Sequence, residues 1–198
     1  MERKCVECSV TPKTQNQNEQ ENDSTPRHTF LWKMMAFSEI IRNFAARMKR
    51  TGIFVGSFNP FTIGHDSIVR RALPLFDKLV IGVVGDNVHK PDMPSAEERM
   101  QVIKELYADE ARIEVKPYHG LAMDFAKAEN AQFIVKGVRT VSDFEYEQWQ
   151  ADFNRKLGGI ETILLYTEPE LASVSSSALR ELEHFGVDVS PYLPKKEK

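Results

Sequence analysis

The sequence predicts a doubly wound α/β fold: a parallel five-stranded sheet, Rossmann-like, with helices on both faces. Three observations carry this expectation. From Thr51 onward, short apolar runs alternate with longer helical patterns. The runs are near-continuous in Val and Ile, as strands covered on both faces require, and lack the in-out alternation of a half-solvated sheet. A glycine-bearing segment joins the first run to the first helical pattern, where such a fold aims main-chain N–H groups and a helix dipole at an anion. A ligand is therefore expected beyond the carboxyl ends of the strands, at the topological switch point.

Taken in order, residues 1–29 include TPKTQNQNEQENDSTPRH, which has no apolar period and predicts disorder. Residues 30–47, FLWKMMAFSEIIRNFAAR, are apolar and weakly basic without Gly or Pro. They read as an amphipathic helix that could meet a partner or a membrane surface. Lys33 interrupts the run, which makes it a poor secretory signal. Met48 is read as an internal start, leaving 1–47 as an extension and 48–198 as the domain. The strands are expected at 52–56, 78–84, 112–116, 132–137 and 160–166. The helices are expected at 65–75, 95–107, 121–130, 142–157 and 176–185. Ser95 with Glu98, and Ser142 with Glu145, have capping-box spacing and mark two helix starts.

Composition narrows the class. The hydrophobic fraction is 41% and the charged fraction 28%, values ordinary for a soluble domain. The net charge of −3 offers no basic face for nucleic acid, while a small anion needs only a few local cations. Cys5 and Cys8 form C-x-x-C without further nearby ligands for zinc and without the strand that a redox motif follows. No disulfide framework is implied, so a reducing, cytoplasmic setting fits. No apolar run reaches the ~20 residues needed to cross a bilayer, and no membrane attachment is expected.

The most informative segment is Gly56-Ser57-Phe58-Asn59-Pro60-Phe61-Thr62-Ile63-Gly64-His65. Gly56 allows a tight turn, Ser57 supplies a hydroxyl, Gly64 permits close approach, and His65 opens the helix with its imidazole toward an anion site. The blander alternative is that Thr62 and His65 only cap the helix. The decapeptide resembles the G-[TS]-F-[DN]-P-x-T-x-G-H signature of the nucleotidyltransferase superfamily. Further segments follow in chain order: Asn87-Val88-His89-Lys90, Glu97-Glu98-Arg99, Lys136-Gly137-Val138-Arg139, Asp143-Phe144-Glu145-Tyr146-Glu147, Asn154-Arg155, and Val174-Ser175-Ser176-Ser177-Ala178-Leu179-Arg180-Glu181. Together, over about residues 50–194, they resemble the bacterial phosphopantetheine adenylyltransferases.

That resemblance implies transfer of AMP from ATP to 4′-phosphopantetheine, giving dephospho-coenzyme A and pyrophosphate by direct in-line displacement, with Mg²⁺ accompanying the nucleotide. It implies catalytic roles for His65, Lys90 and Arg139. It implies ATP contacts at Ser57, Phe58, His65, Gly137, Arg139, Glu147, Ser175, Ser176 and Ser177, and acceptor contacts at Ser57, Lys90, Leu121, Ala122 and Lys136. No dedicated protein metal cage is expected. A homohexamer is implied by resemblance alone.

Each role has a chemical reason. A donor imidazole stabilises charge on the α-phosphate, and a guanidinium fork suits phosphate. Lys90 can orient the acceptor as a point charge, while His89 beside it reads as a solvent-facing loop residue. Glu147 can accept from ribose hydroxyls or stand on a helix surface. Tyr146 and Phe144 read as core or subunit-interface residues. No acid follows the serine triplet at the capping position, which leaves its hydroxyls and N–H groups available to an anion. Arg180 either binds phosphate or pairs with Glu181 or Glu183. Ser57, Asn59, Ile63 and Lys136 stand where the family more often has Thr, Asp, Asn and Arg. A transferase acting on nicotinate mononucleotide or an alcohol phosphate, and a non-catalytic nucleotide- or coenzyme A-binding module, are the alternatives.

Overall fold

The computed structural model describes residues 33–40, 49–85 and 93–196. The expected disorder of 1–29, the C-x-x-C pair and the Asn87–Lys90 segment lie outside these residues. The chain divides into two units, Met1–Phe44 and Ala45–Lys198. In the first, residues 33–40 are helical, with Met34, Met35, Phe37 and Ile40 exposed.

The second unit contains β1 (Thr51–Gly56), α1 (Ile63–Ala72), β2 (Lys78–Val84), α2 (Ala96–Leu106), β3 (Ile113–Tyr118), α3 (Ala122–Ala128), β4 (Phe133–Val138), α4 (Val141–Phe153), β5 (Glu161–Tyr166) and α5 (Ser176–His184). The five strands form one parallel sheet in the order β3-β2-β1-β4-β5. The chain winds outward through β2 and β3, then crosses back to place β4 on the other side of β1. The switch point lies between the carboxyl ends of β1 and β4.

The period of two in each strand divides the core. Phe54, Leu79, Ile81, Val83 and Val135 face α1 and α2, where they meet Val69, Ala72, Met100 and Ile103. Ile53, Val55, Val80 and Ile134 face the opposite side and meet Ala126. Both faces are buried, which is why these strands read as unbroken apolar runs. A third, smaller cluster of Val174, Leu179 and Val189 packs against Ile63. It seats α5 against the start of α1 and so brings the last motif to the first.

The expected elements are present with shifted ends. β3 extends through Pro117 to Tyr118; it is an edge strand, where a residue without an N–H is tolerated. The Ser95–Glu98 capping box forms, with Glu98 N donating to Ser95 Oγ at 3.2 Å and Ser95 N to Glu98 Oε2 at 2.9 Å. The box expected at Ser142 does not start its helix. Thr140 is the N-cap, accepting from Asp143 N at 3.1 Å, because β4 ends at Val138 and the chain turns immediately. α4 runs on into a π-turn over Asn154–Gly158, closed by Gly159 at φ +68°.

Candidate active site

At the switch point lies a cavity of about 280 Å³. Its lining draws on three places in the chain: Gly56, Ser57, Phe58, Thr62, Gly64 and His65 after β1; Lys136, Gly137 and Arg139 at the end of β4 with Glu147 of α4; and Ser175, Ser176 and Ser177 at the start of α5.

The first place is shaped by an unusual cap. Thr62 is the N-cap of α1 and is 1% exposed. Its N–H donates to His65 Nδ1 at 3.0 Å, and its hydroxyl oxygen lies 3.0 Å from the same nitrogen. His65 thus takes the place that Glu or Gln holds in an ordinary capping box. His65 caps the helix and lines the cavity at once. Because Nδ1 accepts from a main-chain N–H, the neutral ring carries its proton on Nε2. Phe58, Phe61 and Phe54 surround the ring, with centroids 5.2, 5.4 and 6.3 Å away. Burial, reinforced by the Arg139 cation, lowers its pKa from 6.5 to about 4. The imidazole is a neutral donor at physiological pH.

The second place carries two ion pairs. Lys136 Nζ meets Glu147 Oε1 and Oε2 at 3.1 Å, with both side chains largely buried. Glu147 Oε2 has no aligned hydrogen-bond donor. Arg139 is held by Asp143: its N–H and Nε donate to Oδ2 at 3.2 and 3.0 Å. Asp143 in turn has its pKa lowered; burial opposes ionisation, and the hydrogen bonds and charge of Arg139 outweigh it. A carboxylate so held fixes the guanidinium at the cavity wall.

The third place corrects one expectation. The serine hydroxyls are not free. Ser175 is the N-cap of α5 and accepts from Ala178 N at 3.1 Å; Ser176 Oγ donates to the Pro60 carbonyl at 2.9 Å; Ser177 Oγ accepts from Arg180 at 3.1 Å. What remains is the helix N-terminus itself, whose first N–H groups have no partner within a helix. Arg180 pairs with neither Glu181 nor Glu183: its other nitrogen donates to the Asn59 carbonyl. Ser176 and Arg180 both grip the loop after β1, so the first and last motifs are one assembly.

Of the residues expected from sequence, Ser57, Phe58, His65, Lys136, Gly137, Arg139, Glu147, Ser175, Ser176 and Ser177 line the one cavity. The Phe58 ring is buried and packs edge to face against His65. Leu121 and Ala122, at the start of α3, do not line it. Lys90 lies outside the described residues. Among the described residues no group of three His, Cys, Asp or Glu is assembled to hold a metal. Sequence reasoning missed Thr167 and gave Asp143 no role. Thr167 follows β5 at the carboxyl edge and lines the cavity, a position the strand-end rule marks. Asp143 stands four residues after Arg139 on the next helix, a spacing that signals an ion pair.

Residues 53–182 match the cytidylyltransferase-like family. A phosphopantetheine adenylyltransferase of Phocaeicola vulgatus is 56% identical over 75% of this chain and 98% of that protein. One of Bacteroides fragilis is 53% identical over 74% of this chain and 97% of that protein. The chain belongs to the phosphopantetheine adenylyltransferase family. Its fold is also that of a bifunctional NMN adenylyltransferase/ADP ribose pyrophosphatase from Francisella tularensis, with a TM-score of 0.57 at 17% identity, covering 76% of this chain and 46% of that one. A second structure of that Francisella protein is a complex with AMP and a manganese ion.

Proposed function

We propose that the protein transfers AMP from ATP to 4′-phosphopantetheine, releasing pyrophosphate and forming dephospho-coenzyme A. The observation that carries this reading is the convergence of a neutral imidazole donor, a fixed guanidinium and a helix N-terminus on one cavity at the switch point, in a chain 56% identical to an enzyme of that name.

The chemistry needs no covalent intermediate. An oxygen of the acceptor phosphate forms a bond to the α-phosphorus of ATP as the bond to the β-bridging oxygen breaks, and pyrophosphate leaves with that oxygen. Negative charge grows on the equatorial and departing oxygens, so catalysis consists of alignment and charge stabilisation. His65 Nε2–H donates to the α-phosphate. Arg139 and the N-terminus of α5 receive the β- and γ-phosphates. Lys136 and Lys90 hold the acceptor phosphate, and Leu121 and Ala122 meet its apolar arm. Glu147 accepts from the ribose hydroxyls once Lys136 turns to the acceptor.

Glu147, the acid that lines the cavity, is already bound to Lys136, so the described residues do not suit a protein-held metal. Mg²⁺ accompanying the nucleotide would neutralise part of the phosphate charge. The protein works as a homo-oligomer, a hexamer by family resemblance, in the cytoplasm. No helix among the described residues is long and apolar enough to cross a membrane.

The test is pyrophosphate release from ATP, measured in parallel with 4′-phosphopantetheine, nicotinate mononucleotide and an alcohol phosphate. Release confined to the first acceptor is expected. Release with another acceptor alone, or ATP binding without turnover on any of them, overturns the reading.

A further inference from the structure

Arg99 is the buried ionised side chain of the described residues, at 6% exposed. It stands in the first turn of α2, and its guanidinium meets carbonyls rather than a carboxylate. Nε donates to Pro94 O at 2.9 Å and to Ser95 O at 3.3 Å; one terminal nitrogen donates to Ser57 O and the other to Val84 O at 2.9 Å. Its hydrogen bonds all go to carbonyls, and only the nearby Glu97 carboxylate answers its charge through space; burying such a charge is costly, and a well-packed apolar side chain at such a place is often neutral or better for stability. Packing alone therefore does not call for arginine here.

The identity of the acceptors supplies the reason. Ser57 is the first residue beyond β1, and Val84 is the last of β2, from which the chain leads to Lys90. One guanidinium ties the carboxyl ends of two adjacent strands to the start of α2. In a trans peptide the carbonyl and the next N–H point in opposite directions. Drawing the Ser57 carbonyl onto Arg99 therefore fixes the Ser57–Phe58 peptide with the Phe58 N–H on the side away from Arg99, and both residues line the cavity. Phe58 has φ +46°, a left-handed conformation that a bulky residue holds only when its surroundings fix it.

We propose that Arg99 is a positioning residue of the transfer reaction: it sets the Ser57–Phe58 peptide so that the Phe58 N–H is presented, with His65, to the phosphate undergoing transfer. The inference rests on the functional reading above. It differs from it in assigning a donor to the main chain and its alignment to a side chain that touches no substrate.

The test uses the full chain with Arg99→Met and Arg99→Lys. For Arg99→Met, kcat per folded molecule, with folding checked by circular dichroism, falls by about 30-fold or more while KM for ATP moves by less than about threefold. Arg99→Lys recovers part of the loss, since it keeps one charge and loses the fork. In ¹⁵N NMR spectra the Phe58 amide shifts on adding ATP to the unaltered protein and does not in Arg99→Met. A kcat within threefold of the unaltered protein, a loss confined to KM, or an unchanged Phe58 response overturns the proposal. If Arg99→Met fails to fold, Arg99→Lys decides: a kcat loss without a KM change sustains the proposal, and full activity ends it. An unaltered protein that is silent with 4′-phosphopantetheine instead sinks the functional reading, and the Phe58 response to ATP still judges Arg99.

Discussion

His65 uses its two ring nitrogens differently. Nδ1 is fixed by the Thr62 N–H, which leaves Nε2–H as the donor facing the cavity. Removing that donor removes stabilisation of charge that develops only in the transition state. His65→Ala is expected to lower kcat by about 100-fold, roughly 3 kcal/mol, with little change in ATP affinity by calorimetry. A near-normal kcat would contradict the role. The same ring has a pH signature. Its folded-state pKa, about 4, lies below the ordinary 6.5, so the unfolded chain takes up the proton first as acid is added. The neutral ring thus contributes stability that is complete above about 6.5 and is lost as pH falls toward 4. NMR titration should give a His65 midpoint near 4, higher in Arg139→Gln because the neighbouring cation is gone. Urea melts at pH 7 and pH 5 should show a larger loss in the unaltered protein than in His65→Gln.

At the scale of elements, α5 depends on Ser175. Its hydroxyl caps the helix, so Ser175→Ala should lower stability by about 1 kcal/mol in urea unfolding. Ser177→Ala should cost much less, because Ser177 Oγ meets only Arg180. The three inner strands were legible because both-face burial leaves apolar runs that no surface element imitates, as in KLVIGVV at β2. The loop after β1 was legible because its residue types match over ten positions in a strand-to-helix setting. The start of α4 was not: Thr140 and Ser142 are equally good caps in isolation, and the end of β4 decides between them. Nor were the Lys136–Glu147 pair, eleven residues apart, or the hold of Arg180 on Asn59, 121 residues away. Those contacts exist only after the sheet has been wound and α5 has docked, and no local spacing encodes them.

On the scale of the whole molecule, α4 has no fully buried residue. Tyr146, Trp149 and Phe153 stand 54%, 51% and 52% exposed, stepped edge to face with centroids 5.3 and 5.9 Å apart. Of the two sequence readings of Tyr146, core or interface, core is excluded. An exposed aromatic row of this kind suits the contact that the proposed homo-oligomer requires. Trp149→Glu should lower the solution mass measured by light scattering while leaving the circular dichroism unchanged; an unaltered mass would place the contact elsewhere.

The pairing of both described cavity cations with acids, Lys136 with Glu147 and Arg139 with Asp143, reaches further than its geometry. A cleft with its charges already answered is no standing trap for stray orthophosphate, which must undo one internal contact to make one of its own. On the proposed function, the acceptor phosphate draws Lys136 away from Glu147, while Asp143 goes on bracing Arg139. A small anion arriving alone would have to break that first pair without the rest of a substrate to offset the loss.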